Sequence, residues 1–193
     1  MADVFEILSA DHREIEQMLG SLEQTTGGAG ASEAVLNARK GLAETLIIES
    51  SKHEAVEEQL FWPTVRSRLP DGNQFADHAI AQETGAKDVL ARLDKIAPGE
   101  TQFEELLTQY IPAAREHISY EEQTVWPALR AALSPAEADQ LGSKIAAAKK
   151  LAPTRPHPHI PPQPGALKTA GLAAAAADRL RDELTGRVHH NPG

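Results

Sequence analysis

Apolar residues recur along most of the chain at alternating steps of three and four, the spacing that lines one face of a helix. Four such stripes are legible. The first holds Phe5, Leu8, His12, Ile15, Leu19 and Leu22, and the second Leu42, Leu46, Glu49, His53, Val56 and Leu60. The third holds Phe75, His78, Gln82, Gly85, Val89 and Ile96, and the fourth Phe103, Leu106, Tyr110, Ala113, His117, Tyr120 and Thr124. Breaks between them fall at Gly and Pro clusters, several followed by a side chain able to cap the next helix. Asp3 with Glu6 starts the first helix as an Asp variant of the capping box, and Gly27-Gly28-Ala29-Gly30 ends it. Ser32 caps a second helix reaching about Leu69, ahead of Pro70-Asp71-Gly72, and the third ends near Ala97-Pro98-Gly99. Thr101 with Glu104 makes a capping box for the fourth, which reaches about Leu133, and Ser134-Pro135 with Glu137 opens a shorter fifth. Long apolar runs of the kind that build central strands are missing, so the pattern predicts an all-α fold, a four-helix bundle with a short fifth helix.

The composition then shifts. Residues 1–150 carry the bundle pattern, whereas residues 151–166 are rich in Pro and His and suit a semi-rigid extended linker. Residues 167–193 form a C-terminal segment in which Leu167 to Leu184 reads as a weakly amphipathic helix, with Leu180 and Leu184 on one side. That helix is expected either to dock on the bundle or to await a partner.

A net charge of -9, with no block of Lys or Arg, argues against nucleic acid and against membrane surfaces as partners. Met1-Ala2-Asp3-Val4-Phe5-Glu6 is acidic and helical in pattern, unlike a secretory signal, and the longest apolar run, around Gly171 to Ala177, is far short of the roughly 20 residues that span a bilayer. The expectation is a cytoplasmic protein. Without cysteine there are no disulfides, thiolate nucleophiles or iron-sulfur clusters, so any metal must sit on nitrogen and oxygen.

Each stripe has one histidine where an apolar residue belongs. A single such histidine is ordinarily a hydrogen-bonded core residue, but four in one bundle would cost roughly 1 to 3 kcal/mol each if left without partners. A metal supplies those partners. The second and fourth helices also repeat nearly the same phrase: His53-Glu54-Ala55-Val56-Glu57-Glu58-Gln59-Leu60-Phe61-Trp62-Pro63 is echoed by His117-Ile118-Ser119-Tyr120-Glu121-Glu122-Gln123-Thr124-Val125-Trp126-Pro127. The shared frame is H-x3-E-E-Q-x2-W-P, and Asp11-His12 is matched by Asp77-His78, so the bundle reads as two related hairpins. His and Glu four apart share a helical face, and two such pairs with His12 and His78 supply four nitrogens and two carboxylates, suited to two ions bridged by the carboxylates. Such ligands accept iron, manganese or zinc. Glu58 and Glu122 read as solvated neighbours, Glu49, Gln59 and Gln123 as groups able to orient ligands, and the Trp-Pro pairs as core anchors and helix bends.

The ligand pattern, H…H-x3-E…H…H-x3-E, resembles the hemerythrin HHE cation-binding family, in particular its bacterial hemerythrin-like members, over roughly residues 1–150. The resemblance implies an up-down bundle holding two iron ions, an oxo- or hydroxo-bridged di-iron site. It assigns His12, His53, Glu57, His78, His117 and Glu121 as metal ligands, with Glu57 and Glu121 as bridges. Oxygen-carrying relatives have a second histidine one turn after the third-helix ligand, where this chain has Gln82 followed by Glu83. With an imidazole missing, more positions stay open to small ligands. The expected function is therefore reaction with hydrogen peroxide, nitric oxide or dioxygen, as a catalase-like, peroxidase or nitric oxide-reacting activity with an unidentified electron donor. The alternative is reversible dioxygen binding, or iron or oxygen sensing, without turnover. Tyr120, between His117 and Glu121, is either a packing residue or a phenolate ligand or redox neighbour, and it is the candidate catalytic residue. Tyr110 fits a channel lining. His157, His159, His189 and His190 lie among Pro and Gly and are set apart from the bundle site.

Overall fold

The computed structural model describes residues 2–25, 27, 30–160 and 170–185. Its elements are α1 (Val4–Gln24), α2 (Glu33–Val56), α3 (Trp62–Arg68), α4 (Gly72–Leu93), α5 (Thr101–Tyr120), α6 (Trp126–Ala132), α7 (Pro135–Lys149) and α8 (Leu172–Thr185). A single π-helical turn joins α2 to α3 (Glu57–Phe61) and another joins α5 to α6 (Glu121–Val125), so each pair is one long rod. Four rods therefore form the bundle, and no strand occurs among the described residues.

Local chemistry explains most boundaries. Asp3 and Ser134 form complete capping boxes with Glu6 and Glu137, and Ser32 caps α2. At α5 the expectation fails: Glu100 is the N-cap residue and makes no side-chain cap bond. Glu104 instead grips the buried guanidinium of Arg39 at 2.9 and 2.7 Å, a bidentate ion pair between rods that outweighs a local cap.

The π turns have a common cause in the Trp-Pro pairs. Pro63 and Pro127 lack an N–H and crowd the carbonyl four residues back, and a widened turn relieves both defects. The N–H groups of Trp62 and Trp126 accordingly reach five residues back, to the carbonyls of Glu57 and Glu121. The extra residue rotates the downstream half of each rod. Past each bulge the inward positions are Phe61, Trp62 and Val65, or Val125, Trp126 and Leu129, rather than the expected Leu60 and Thr124.

Two apolar clusters fill the bundle, one around Phe5, Leu8, Trp62, Val65 and Leu129, the other around Leu19, Leu46, Leu90, Phe103 and Leu106. Fully burying one such side chain contributes about 1.5 to 3 kcal/mol. Between the clusters lies a polar layer that includes His12, His53, Glu57, Glu83 and Glu121, all buried. The fifth helix, α7, packs on α1 and α2. Its Gly142 permits this approach, because a Cβ there would lie 2.7 Å from the Asp3 carbonyl carbon and 2.8 Å from the Ala2 oxygen.

The C-terminal helix α8 is docked, and through its polar face. Asp178 accepts from the backbone N–H groups of Thr154 and Arg155 at 3.2 Å each, and Asp182 accepts from the Thr154 hydroxyl at 2.6 Å. Arg155 bridges Asp182 of α8 to Asp94 just after α4, at 2.7 and 2.6 Å. Linker backbone that leaves the bundle needs acceptors, and the two aspartates provide them. Leu180 and Leu184 do lie on one side, but that side faces solvent. The start of the expected helix at Leu167, and His189 and His190, lie outside the described residues. No helix among the described residues is long and apolar enough to cross a membrane.

Candidate metal centre

The polar layer is built where the rods converge. His12 comes from α1, His53 from α2 and His117 from α5, while Glu57 and Glu121 are the first residues of the two π turns. Nε2 of His12 lies 3.1 Å from Nε2 of His53 and 3.1 Å from Oε2 of Glu121, and His53 Nε2 is 3.2 Å from Glu57 Oε2. His117 Nε2 lies 3.5 Å from Glu121 Oε1 and 4.0 Å from Glu83 Oε1, a residue of α4. Two tetrads result, His12, His53, Glu57, Glu121 and Glu57, Glu83, His117, Glu121, each offering ligand atoms within 4.8 Å of one another. Glu57 and Glu121 belong to both.

Each histidine ring is held at its other nitrogen. Nδ1 of His12 is 2.9 Å from Glu122 Oε1, Nδ1 of His53 is 3.4 Å from Asp11 Oδ2, and Nδ1 of His117 is 3.2 Å from Gln82 Oε1. An oxygen acceptor there keeps the proton on Nδ1 and turns the Nε2 lone pair toward the cluster. Glu122, read from sequence as merely solvated, is thus a ring-orienting group, and Asp11 and Gln82 take the role expected of Gln59 and Gln123. The ring of His12 also stacks on Trp126, with centroids 5.0 Å apart.

The donor set fits a pair of cations. Both oxygens of Glu57, both of Glu121, Oε2 of Glu83 and Nε2 of His117 are buried without a hydrogen-bond partner among the described residues. Each costs about 1 to 3 kcal/mol unless something meets it. Ligands set at right angles around an ion at about 2.1 Å are about 3 Å apart, which the first tetrad matches. Of the expected ligands, His12, His53, Glu57, His117 and Glu121 are brought together.

His78 is not. It is exposed on α4 with its ring 4.5 Å from that of Tyr120, and Glu83 stands in the layer instead. The third stripe of the sequence runs through the bulky residues, whereas α4 packs through Ala76, Ala79, Glu83, Leu90 and Leu93, a face about one residue further along. Small side chains let α4 approach its neighbours closely, and the Trp62 indole N–H, donated to Glu83 Oε1, holds that carboxylate inward. The Ala76-Ala79-Glu83 spacing was present in the sequence as an equally regular stripe. Tyr120, the candidate catalytic residue, also turns away: it is half-buried and its hydroxyl donates to the Phe75 carbonyl at 3.4 Å.

Beside the second tetrad is a small cavity of about 30 Å³, lined by His53, Glu54, Glu83, Tyr110, Ala114 and His117 among others. Tyr110 borders this cavity, its hydroxyl donating to Ser50 at 2.8 Å. Behind it sits Lys87, within 4.0 Å of Glu54, Glu58 and Glu83, so Glu58 too is buried and paired rather than solvated.

Burial governs the protonation of the cluster in the absence of cations. It raises Glu57 well above the usual carboxylate range, with Glu121 and Glu83 adding to the shift, and raises Glu83 similarly against the pull of Lys87. Burial likewise lifts Glu54 to about 8, again opposed by Lys87. It lowers His53 despite Asp11 and lowers His117 to about 4 despite Glu121. Glu121 itself resists burial and falls to about 2 because His117 and His12 face it, and His12 is raised, against burial, by Glu121 and Glu122. Protons thus occupy a site whose atoms are arranged for cations.

Similarity to known proteins agrees with this geometry. The hemerythrin HHE cation binding domain matches residues 3–129. An uncharacterized hemerythrin-like protein of Schizosaccharomyces pombe is 30% identical over 137 residues, covering 70% of this chain and 68% of that protein. A DNA nickase of Nostoc is 22% identical over 147 residues, spanning 76% of this chain but 39% of its own length. The crystal structure of a hemerythrin HHE cation binding domain-containing protein from Mycobacterium kansasii superposes with a TM-score of 0.64 at 22% identity, covering 92% of this chain and 99% of that one. The match across the bundle and the buried His/Glu cluster lead to one assignment: this chain belongs to the hemerythrin HHE cation-binding domain family.

Proposed function

We propose that the chain is a non-haem di-iron protein that reacts with small oxidants, hydrogen peroxide first among them, with nitric oxide and dioxygen as further ligands. The observation that carries the reading is a buried set of three imidazoles and three carboxylates bordering a cavity of about 30 Å³, which admits molecules of a few atoms. Imidazole and carboxylate together suit iron. A pair of iron ions would supply one-electron redox steps and Lewis acidity toward the oxidant's oxygen atoms.

The chain's own residues supply the rest. His12, His53 and His117 present Nε2, with their rings fixed through Nδ1. Glu57, Glu121 and Glu83 bring the negative charge that cations neutralise, and the second tetrad is the oxygen-rich one, with a single imidazole beside the cavity. The apolar clusters above and below exclude bulk water. Glu54, lining the same cavity and lifted to about 8, holds a proton at neutral pH close to where an oxidant would enter.

The test is to load the purified protein with iron, measure metal content and optical spectrum on one sample, and follow oxygen release from peroxide and consumption of nitric oxide. Turnover that disappears in Glu57→Ala while the variant stays folded is the expected result. An inert iron-loaded protein whose spectrum cycles with oxygen pressure would replace this reading with reversible dioxygen binding.

A further inference from the structure

The fifth helix lies beyond residues 3–129, the span matched by the family domain, yet its last residue reaches the metal layer. Nζ of Lys149 is 2.6 Å from Oδ1 of Asp11 and 3.5 Å from Oε2 of Glu49. The second oxygen of the same aspartate, Oδ2, is the one 3.4 Å from Nδ1 of His53. Three groups therefore stand in series, ammonium, carboxylate and imidazole, with side-chain exposures of 18%, 9% and 4%.

We infer that Lys149 is a positioning residue of the metal centre, holding the Asp11 carboxylate so that it fixes the ring of His53. A carboxylate can rotate about its last bond, and a single weak contact to an imidazole does not define its plane. Anchoring one oxygen to an ammonium leaves the other aimed at Nδ1, which keeps the proton there and the Nε2 lone pair directed at Glu57 and His12. The other two rings lack this arrangement. His12 relies on Glu122, whose side chain is 41% exposed, and His117 on the neutral amide of Gln82. Glu49, held by Lys52 at 2.8 Å, places a second negative charge 3.5 Å from Lys149 that keeps it directed inward. Close packing of α7 at Gly142 sets the register that brings its final residue to this point.

The inference rests on the proposal that the cluster holds iron, and its test is separate from turnover. Ferrous iron affinity of the full chain is measured by competition with a chromophoric chelator for the unaltered protein, Lys149→Met, Asp11→Asn, the double variant and Lys144→Met as an exposed control on the same helix. Lys149→Met is expected to bind iron about 10- to 100-fold more weakly. Asp11→Asn should match it, the double variant should be no weaker than Asp11→Asn alone, and the control should be unchanged. Undiminished affinity in Lys149→Met, or losses that multiply in the double variant, would overturn the inference even if iron-dependent turnover is intact. Should Lys149→Met fail to fold, nitrogen-15 histidine spectra of the unaltered metal-free protein decide: the His53 proton must reside on Nδ1, and a proton on Nε2 rules the arrangement out.

Discussion

Glu83 and His78 share α4, and five residues of helix separate them by about 140° around its axis, so only the rotation of α4 decides which is buried. The structure buries Glu83 and exposes His78. If the site holds two ions as proposed, Glu83→Gln, which removes a charge but keeps the shape, is expected to lose one of them, while His78→Ala keeps both. Metal counting by mass spectrometry on the two variants is the check, and the reverse result would restore His78 as a ligand. The other five candidate ligands are legible in the sequence because each belongs to a repeated phrase or to a stripe of large apolar residues. Glu83 was hidden because alanines, not bulky side chains, mark its face. Asp11 and Glu122 were hidden for a different reason: orienting a ring is a contact between rods, and no spacing within one rod announces it.

At the scale of elements, the Trp-Pro pairs read as bends turn out to be π turns, and their position matters to the site. A widened turn beginning at Glu57 and at Glu121 leaves the His-to-Glu face intact above it and rotates the tryptophans inward below it. Trp62 then reaches Glu83, and Trp126 stacks on His12. The sequence left the last helix with two fates, docked or awaiting a partner, because its leucines suggested an apolar face in search of cover. Docking is instead made by Asp178 and Asp182 against the backbone and side chains of residues 154–157. Arg155→Ala removes the charge-assisted bridge between Asp182 of α8 and Asp94, a loss of about 1.5 to 3 kcal/mol, the range for hydrogen bonds to charged groups. Amide hydrogen exchange should show α8 losing protection while α1, α2, α4 and α5 keep theirs. Equal protection in the variant would mean that the clasp is not what holds the helix.

The whole molecule sets a largely buried polar layer between two apolar clusters, and this makes stability depend on pH and on metal together. Glu54, lifted to about 8, and Glu57 and Glu83, also raised, bind protons in the metal-free fold that they release on unfolding at neutral pH. Their contribution is complete below about pH 4.5 and is lost as pH rises toward 8. His12, raised above 6.5, acts in the same direction, whereas the lowered His53 and His117 weaken the fold only as pH falls from 6.5 toward 4. Between pH 6.5 and 8 the metal-free protein should therefore melt at progressively lower temperature. Bound cations keep the carboxylates ionised in the fold, so the gap in Tm between loaded and metal-free protein should widen over that range. A gap that narrows would show that the cations do not replace protons at these groups. The sequence by itself determined the helices, most of their caps and the His-to-Glu pairs, because each depends on residues within a turn or two of one another. Tertiary structure decided the rotation of α4, the partners that hold each ring, the inward face of α8 and the entry of Lys149. Those are outcomes of competition between rods for the same buried space, and the winner is set by packing that local spacing does not encode.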